Sequence, residues 1–273
     1  MKWSFKLGRF AGIDTYVHAT FLLLIGWAAW AAYSGAGTWL AVVLGVAFLL
    51  AVFGSVLLHE LGHALMARRY GIRTRRIILS PIGGLAQLEG MPANPRHELA
   101  VALAGPAVNF ALAGVLWLLG AGASAGFGLL NGLMWANLTL GLFNLVPAFP
   151  MDGGRALRAF LATRMGDLDA TEIAARVGKT AAVAMGVIGF FTNWVLVAIA
   201  AFVWFAANAE LRAARAEAAW ERLDTDPWID PFARHDPFAR RSSELGPPWQ
   251  GAPVPRYRIV MVTNTPSVPR RWL

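Results

Sequence analysis

The run His59-Glu60-Leu61-Gly62-His63 carries the most specific chemistry in the chain. On an α-helix it sets two imidazoles one turn apart on a common face, where both can ligate one zinc ion. It also leaves Glu60 beside them as a general base. A catalytic zinc takes a third protein ligand and keeps one position open. The chain contains no Cys, so that ligand must offer nitrogen or oxygen. Asp152 is the natural choice: with Glu60, it is a carboxylate at the end of a membrane-depth segment rather than in an evident polar loop or tail. It follows Pro147 and Pro150, which cannot continue a helix, and precedes Gly153-Gly154, which permits irregular backbone. A lone carboxylate in a bilayer costs about 2.5–3.5 kcal/mol, so such residues are rare and usually paired. One Zn2+ with neutral His59 and His63 and ionised Glu60 and Asp152 is formally a neutral cluster, and zinc lowers the pKa of water to about 7.

The elements that must position these groups are membrane helices. The chain of 273 residues is 57% hydrophobic and only 15% charged, a balance outside the soluble globular range. Apolar runs place spans near residues 16–33, 38–58, 98–119, 127–146, 176–191 and 194–209, the last two separated only by Thr192-Asn193. The expected fold is therefore an all-α polytopic membrane protein with about six transmembrane helices. His59 and His63 end the second span and Asp152 follows the fourth, which brings all three to the same depth.

The net charge of +8 could suggest nucleic acid, but its distribution points elsewhere. With six spans both termini lie on one side, and all 24 Lys and Arg fall on that side or at the mouth of a span there. The opposite loops, 34–38, 120–126 and 192–193, carry none. By the positive-inside rule both termini are cytoplasmic, and the protein is expected to be multi-pass in the cell membrane with no nucleic-acid partner. Cleavage of the N-terminal segment as a signal peptide would break this charge parity. No repeat of solenoid period is visible.

Residues 1–210 read as one membrane domain and 211–273 as a flexible cytoplasmic tail. Glu210–Leu223 reads as a charged helix extension out of the membrane. Beyond it Asp-Pro-aromatic recurs at Asp226-Pro227-Trp228, Asp230-Pro231-Phe232 and Asp236-Pro237-Phe238, and a short strand is expected at Tyr257–Thr263. Such a tail suits the membrane interface and is open to a cytoplasmic partner.

Three motifs together, His59–His63, Ala104-Gly105-Pro106-Ala107-Val108-Asn109 and Asn144 through Arg155, resemble the site-2 protease family of intramembrane zinc metalloproteases. The resemblance is closest to the small six-span bacterial branch that includes the sporulation factor processing protease, and it covers about residues 1–210. It implies that His59, His63 and Asp152 bind one zinc per chain and that Glu60 activates water. It further implies that Asn144 orients the scissile carbonyl or stabilises the oxyanion, for which a preorganised amide donor is apt. Ile77–Glu89, broken by Pro81 and Gly83-Gly84, is too short to span and looks like the family's re-entrant β-hairpin. A substrate helix must unwind before its amides can be attacked. The edge of such a hairpin could hold the unwound segment, with Gly83 and Gly84 letting the backbones approach. For Asn109 the expected role is structural, serving the carbonyl that Pro106 leaves free. For His18, at the start of the first span, it is packing or interface anchoring, while His97 and His235 are expected to be solvated. With about 60 residues after the last span, neither the nucleotide-sensing module of many six-span relatives nor the periplasmic PDZ insert of the other bacterial branch is expected.

The function expected is that of an intramembrane zinc endopeptidase cutting transmembrane protein substrates, single-span proteins or remnant signal anchors, within the lipid bilayer. One alternative is a catalytically idle chaperone or adaptor that binds transmembrane helices; the intact Glu60, histidine pair and Asp152 speak against it. Another is a transporter with metal as cargo, against which stands the lack of internal symmetry. The sequence does not indicate an oligomeric state or name a substrate.

Overall fold

The computed structural model describes residues 3–81, 83–90, 92, 94–121 and 128–225. Four strands and seven helices follow in the order β1 (Ser4–Phe10), β2 (Ile13–His18), α1 (Thr20–Ala36), α2 (Trp39–Arg69), β3 (Thr74–Ser80), β4 (Gly83–Leu88), α3 (Pro95–Leu116), α4 (Gly128–Asn144), α5 (Asp152–Ala162), α6 (Asp167–Thr192) and α7 (Trp194–Thr225). A π-helical turn, Trp117–Ala121, extends α3.

Among the described residues four helical segments are long and apolar enough to cross a membrane: Trp39–Arg69, Pro95–Gly120, Asp167–Thr192 and Trp194–Trp220. α1 and α4, at 17 residues each, would reach about 25 Å at 1.5 Å per residue, just under the hydrocarbon thickness. The apolar surface is turned outward. Only 11% of the most apolar stretch of α2 is buried, and Leu23, Trp30, Leu118, Phe191 and Trp194 are largely exposed, as suits helices solvated by lipid.

Local signals set the helix ends. Thr38 caps α2 by accepting from Ala41 N–H, Asn94 caps α3 with Pro95 in its first turn, and α1 stops at Gly37 in left-handed backbone. At 31 residues α2 is longer than a bilayer needs, so its last turns, bearing His59 to His63 and ending in Arg68 and Arg69, are the part that meets other elements.

Those turns pack on a sheet ordered β1-β2-β3-β4. β3 and β4 form the expected hairpin, Ile78 opposite Leu85 and Leu79 opposite Gly84. The sequence reading missed the other half. β1 and β2 form an antiparallel hairpin turning at Ala11-Gly12, and β2 then pairs parallel with β3, Tyr16 opposite Ile78. Residues 16–18, expected in the first span, thus belong to β2, and α1 begins at Thr20. Leu57, Leu61 and Ala64 of α2 share a core with Ile13, Ile77 and Leu79, so one face of the helix is fixed to the sheet and the opposite face is left for the ligands.

The short connection at Thr192-Asn193 between the last two apolar helices is present, and the helical extension through Glu210–Leu223 is part of α7. The Asp-Pro-aromatic repeats, His235 and the strand expected at Tyr257–Thr263 lie outside the described residues.

Candidate metal centre

His59 and His63 sit on the buried face of α2, 5% and 9% exposed, with their Nε2 atoms 3.1 Å apart. Asp152 opens α5, where the positive end of the helix dipole favours a carboxylate, and places Oδ2 3.1 Å from both nitrogens. A tetrahedral ion bound at 2.0–2.2 Å spaces its ligand atoms about 3.4 Å apart, so a triangle of this size is one such an ion can cap. These three residues could hold a metal ion.

The proton positions agree. His63 Nδ1 lies 2.7 Å from the Val101 carbonyl, which can only accept, so His63 donates from Nδ1 and keeps a lone pair on Nε2. His59 Nδ1 meets Asn109 Oδ1 in the same way. Two imidazole lone pairs and one carboxylate converge, each histidine held from behind by an oxygen, which is the donor set and outer support of a zinc site.

Small residues make the space. An added Cβ at Gly105 would lie 2.2 Å from His63 Nε2 and 2.7 Å from His59 Nε2. One at Gly62 would lie 2.9 Å from the Ala104 carbonyl, so α2 and α3 touch nearly backbone to backbone. Gly153 and Gly154, expected to allow irregular backbone, instead form the first turn of α5. Their Cβ atoms would lie 2.3 Å from the Leu145 carbonyl oxygen and 2.6 Å from the Ala148 carbonyl carbon. They let the segment after α4 fold back over the start of α5, and this points Asp152 at the histidines.

Glu60 points to the sheet. Its Oε2 accepts from Ala86 N–H of β4 at 3.2 Å, and a Cβ on Gly84 would lie 2.4 Å from its Cγ. Of the residues singled out in the sequence, His59, Glu60, His63, Asp152 and Gly84 therefore come together. Gly83 begins β4 with φ of 142°, a backbone glycine takes without strain. Asn144 ends α4 with its amide donating to the Leu140 carbonyl of its own helix at 3.0 Å. His18 accepts at Nδ1 from Thr20 at the start of α1, and His97 stacks on Tyr70.

Sequence reasoning missed the groups behind the ligands. Asn109 does not serve a carbonyl freed by Pro106. It accepts from His59 and donates to Asn137, and Asn137 donates to Ser55 and to the Leu133 carbonyl. The available signal was the rarity of Asn at membrane depth, where a polar side chain needs a partner.

Fold and site together define a class: a membrane protein whose helices enclose a zinc-protease centre. The chain belongs to peptidase family M50, whose model matches residues 47–133 and 122–187. It is 36% identical over 245 residues to a zinc metalloprotease of Methanocaldococcus jannaschii, covering 85% of this chain and 67% of that one. It is 34% identical over 223 residues to Rip3 of Mycobacterium tuberculosis, covering 76% of this chain and 56% of that one. The solved structure of the site-2 protease from Methanocaldococcus jannaschii superposes with a TM-score of 0.57 at 38% identity, over 77% of this chain and 95% of that one. The chain thus spans about two thirds of the archaeal zinc metalloprotease and just over half of Rip3.

Proposed function

We propose that this protein is an intramembrane endopeptidase that hydrolyses peptide bonds in locally unwound transmembrane segments. The observation that carries the reading is the convergence of His59 Nε2, His63 Nε2 and Asp152 Oδ2 at 3.1 Å, with Glu60 on the same helix turn and bonded to a strand edge. Zinc held by the three ligands supplies Lewis-acid chemistry, acidifying water and polarising a carbonyl.

The rest falls to the chain. Glu60 accepts a proton from the attacking water and returns it to the leaving amine. Among the described residues β4 is the last strand of the sheet, and Ala86 N–H donates to Glu60. Strand alternation sends the N–H and C=O of Gly84 to the same open edge. A substrate segment that has lost its helical hydrogen bonds can recover them by pairing there, which lays its backbone alongside Glu60. Gly84, without a side chain, lets Glu60 and the incoming backbone lie close together. Asn144, at the end of α4, would exchange its bond to Leu140 for the substrate carbonyl.

Residues 1–210 carry this activity in six spans, counting α1 and α4, with both termini cytoplasmic by the distribution of Lys and Arg. Substrates are single-span proteins or remnant signal anchors. The test begins with zinc stoichiometry of detergent-purified protein. About one zinc per chain in the wild type and loss in both Asp152→Ala and His63→Ala are expected, followed by cleavage of model transmembrane substrates by wild type and not by Glu60→Gln. Folded wild-type protein that takes up no zinc would overturn the reading.

A further inference from the structure

The two histidine ligands are oriented by different means. His63 donates directly to a backbone carbonyl, that of Val101. His59 faces a side-chain amide, Asn109, and an amide can present either its oxygen or its NH2 group. Were the NH2 turned to His59, Nδ1 would become the acceptor and the ring proton would move to Nε2, between His63 and Asp152, blocking metal binding at that nitrogen.

We infer that Asn137 is a positioning residue for the metal site, setting the proton of His59 through Asn109 by a one-way chain of hydrogen bonds anchored on the Leu133 carbonyl. The direction follows from the anchor. A backbone carbonyl can only accept, so Asn137 turns its NH2 to Leu133 at 2.9 Å, and the same nitrogen donates to Ser55 Oγ at 3.0 Å. That leaves Asn137 Oδ1 facing Asn109, 3.0 Å from its Nδ2. An oxygen there requires Asn109 to offer NH2, which commits Asn109 Oδ1 to His59 and the His59 proton to Nδ1. Asn109 and Asn137 are 0% and 1% exposed, so water does not compete for these bonds. Three helices are tied in: α4 supplies the anchor, α3 the intermediate amide and α2 the ligand.

The inference rests on His59 being a metal ligand, and the experiment separates the two claims. Zinc affinity of the full chain in detergent is measured by competition with a chelator, and folding by thermal unfolding without zinc. His59→Ala is the control: zinc binding equal to wild type would overturn the site and the relay with it. With that control lost as expected, Asn137→Leu, of similar shape but with no oxygen for Asn109, should weaken zinc binding about 10- to 100-fold, the range for outer-shell changes. Asn109→Asp has only oxygens to offer His59 as a carboxylate and so dispenses with the anchor. In that background Asn137→Leu should change zinc affinity by less than about threefold. A purely structural Asn137 predicts the same loss in both backgrounds, and that result would overturn the inference, as would wild-type affinity in Asn137→Leu. If Asn137→Leu does not fold, Asn137→Asp decides. It keeps an oxygen for Asn109, so affinity near wild type supports the relay and a loss above about tenfold in folded protein overturns it.

Discussion

A Cβ on Gly105 would lie 2.2 Å from Nε2 of His63, well inside the contact distance of two non-bonded atoms. The glycine on α3 is therefore part of the metal site without offering a ligand atom: its missing side chain is the volume into which both imidazoles project. Gly105→Ala should push the rings aside or force α3 away from α2. Overpacking of this kind costs about 1–3 kcal/mol, which at the ligands corresponds to about a 5- to 150-fold loss of zinc affinity. Chelator competition on purified protein reads this directly, and affinity equal to wild type would refute it.

The relation between Gly84 and Glu60 gives a different phenotype. A Cβ at Gly84 would lie 2.4 Å from Glu60 Cγ, and the three heavy atoms nearest to it all belong to Glu60. Gly84→Ala should therefore displace the proposed base and leave the metal in place. Zinc stoichiometry near wild type is expected, with cleavage of a model transmembrane substrate reduced by about 10²–10⁴, as for loss of a general base. Glu60→Gln should match it. Loss of zinc in Gly84→Ala would show that the hairpin instead supports the metal.

How much of this is legible in the sequence depends on the range of the interaction. The histidine pair is local, set by one helical turn, and the pairing of Asp152 with it followed from the cost of an isolated carboxylate in a bilayer. The β3–β4 hairpin is local too, marked by Pro81 and Gly83-Gly84. β1 and β2 were missed because the apolar stretch from Tyr16 merges with α1, and the parallel pairing of β2 with β3 spans the whole of α1 and α2. The first turn of α5 is harder to see, because backbone preference alone lets Gly153-Gly154 take irregular backbone. What governs those positions is the approach of the 145–148 backbone, a tertiary fact. Asn137 and Ser55 are one step further from view, since their function exists only through residues on other helices.

Topology can be read from a chain that contains no Cys. Ser34, before the α1–α2 connection, and Ala213, near the end of α7, are both exposed and should lie on opposite sides of the membrane. In right-side-out vesicles a membrane-impermeant maleimide should label Ser34→Cys at once and Ala213→Cys only after permeabilisation. Labelling of Ala213→Cys from outside would place the C-terminal end of α7 on the wrong side for the charge-based reading.

A buried ion pair also joins the helix that begins at Asp152 to the helix behind the histidines. Arg158 of α5 donates to Glu98 of α3, and the two residues are only 5% and 8% exposed. Since α3 carries Gly105 and Asn109 while α5 begins at Asp152, the pair ties the helix behind the histidines to the helix that bears the carboxylate. Removing one partner leaves a buried charge without compensation, at a cost of about 3–5 kcal/mol, whereas replacing both by apolar residues is often close to neutral. Arg158→Met and Glu98→Leu should each lower the unfolding temperature of the zinc-free protein strongly, and the double variant should recover most of the loss. Zinc affinity carries the rest of the argument. If the pair positions α5, the double variant should unfold near wild type yet bind zinc more weakly. If it serves stability alone, both properties should return together, and that outcome would leave Asp152 positioned by Gly153, Gly154 and the segment folded over them.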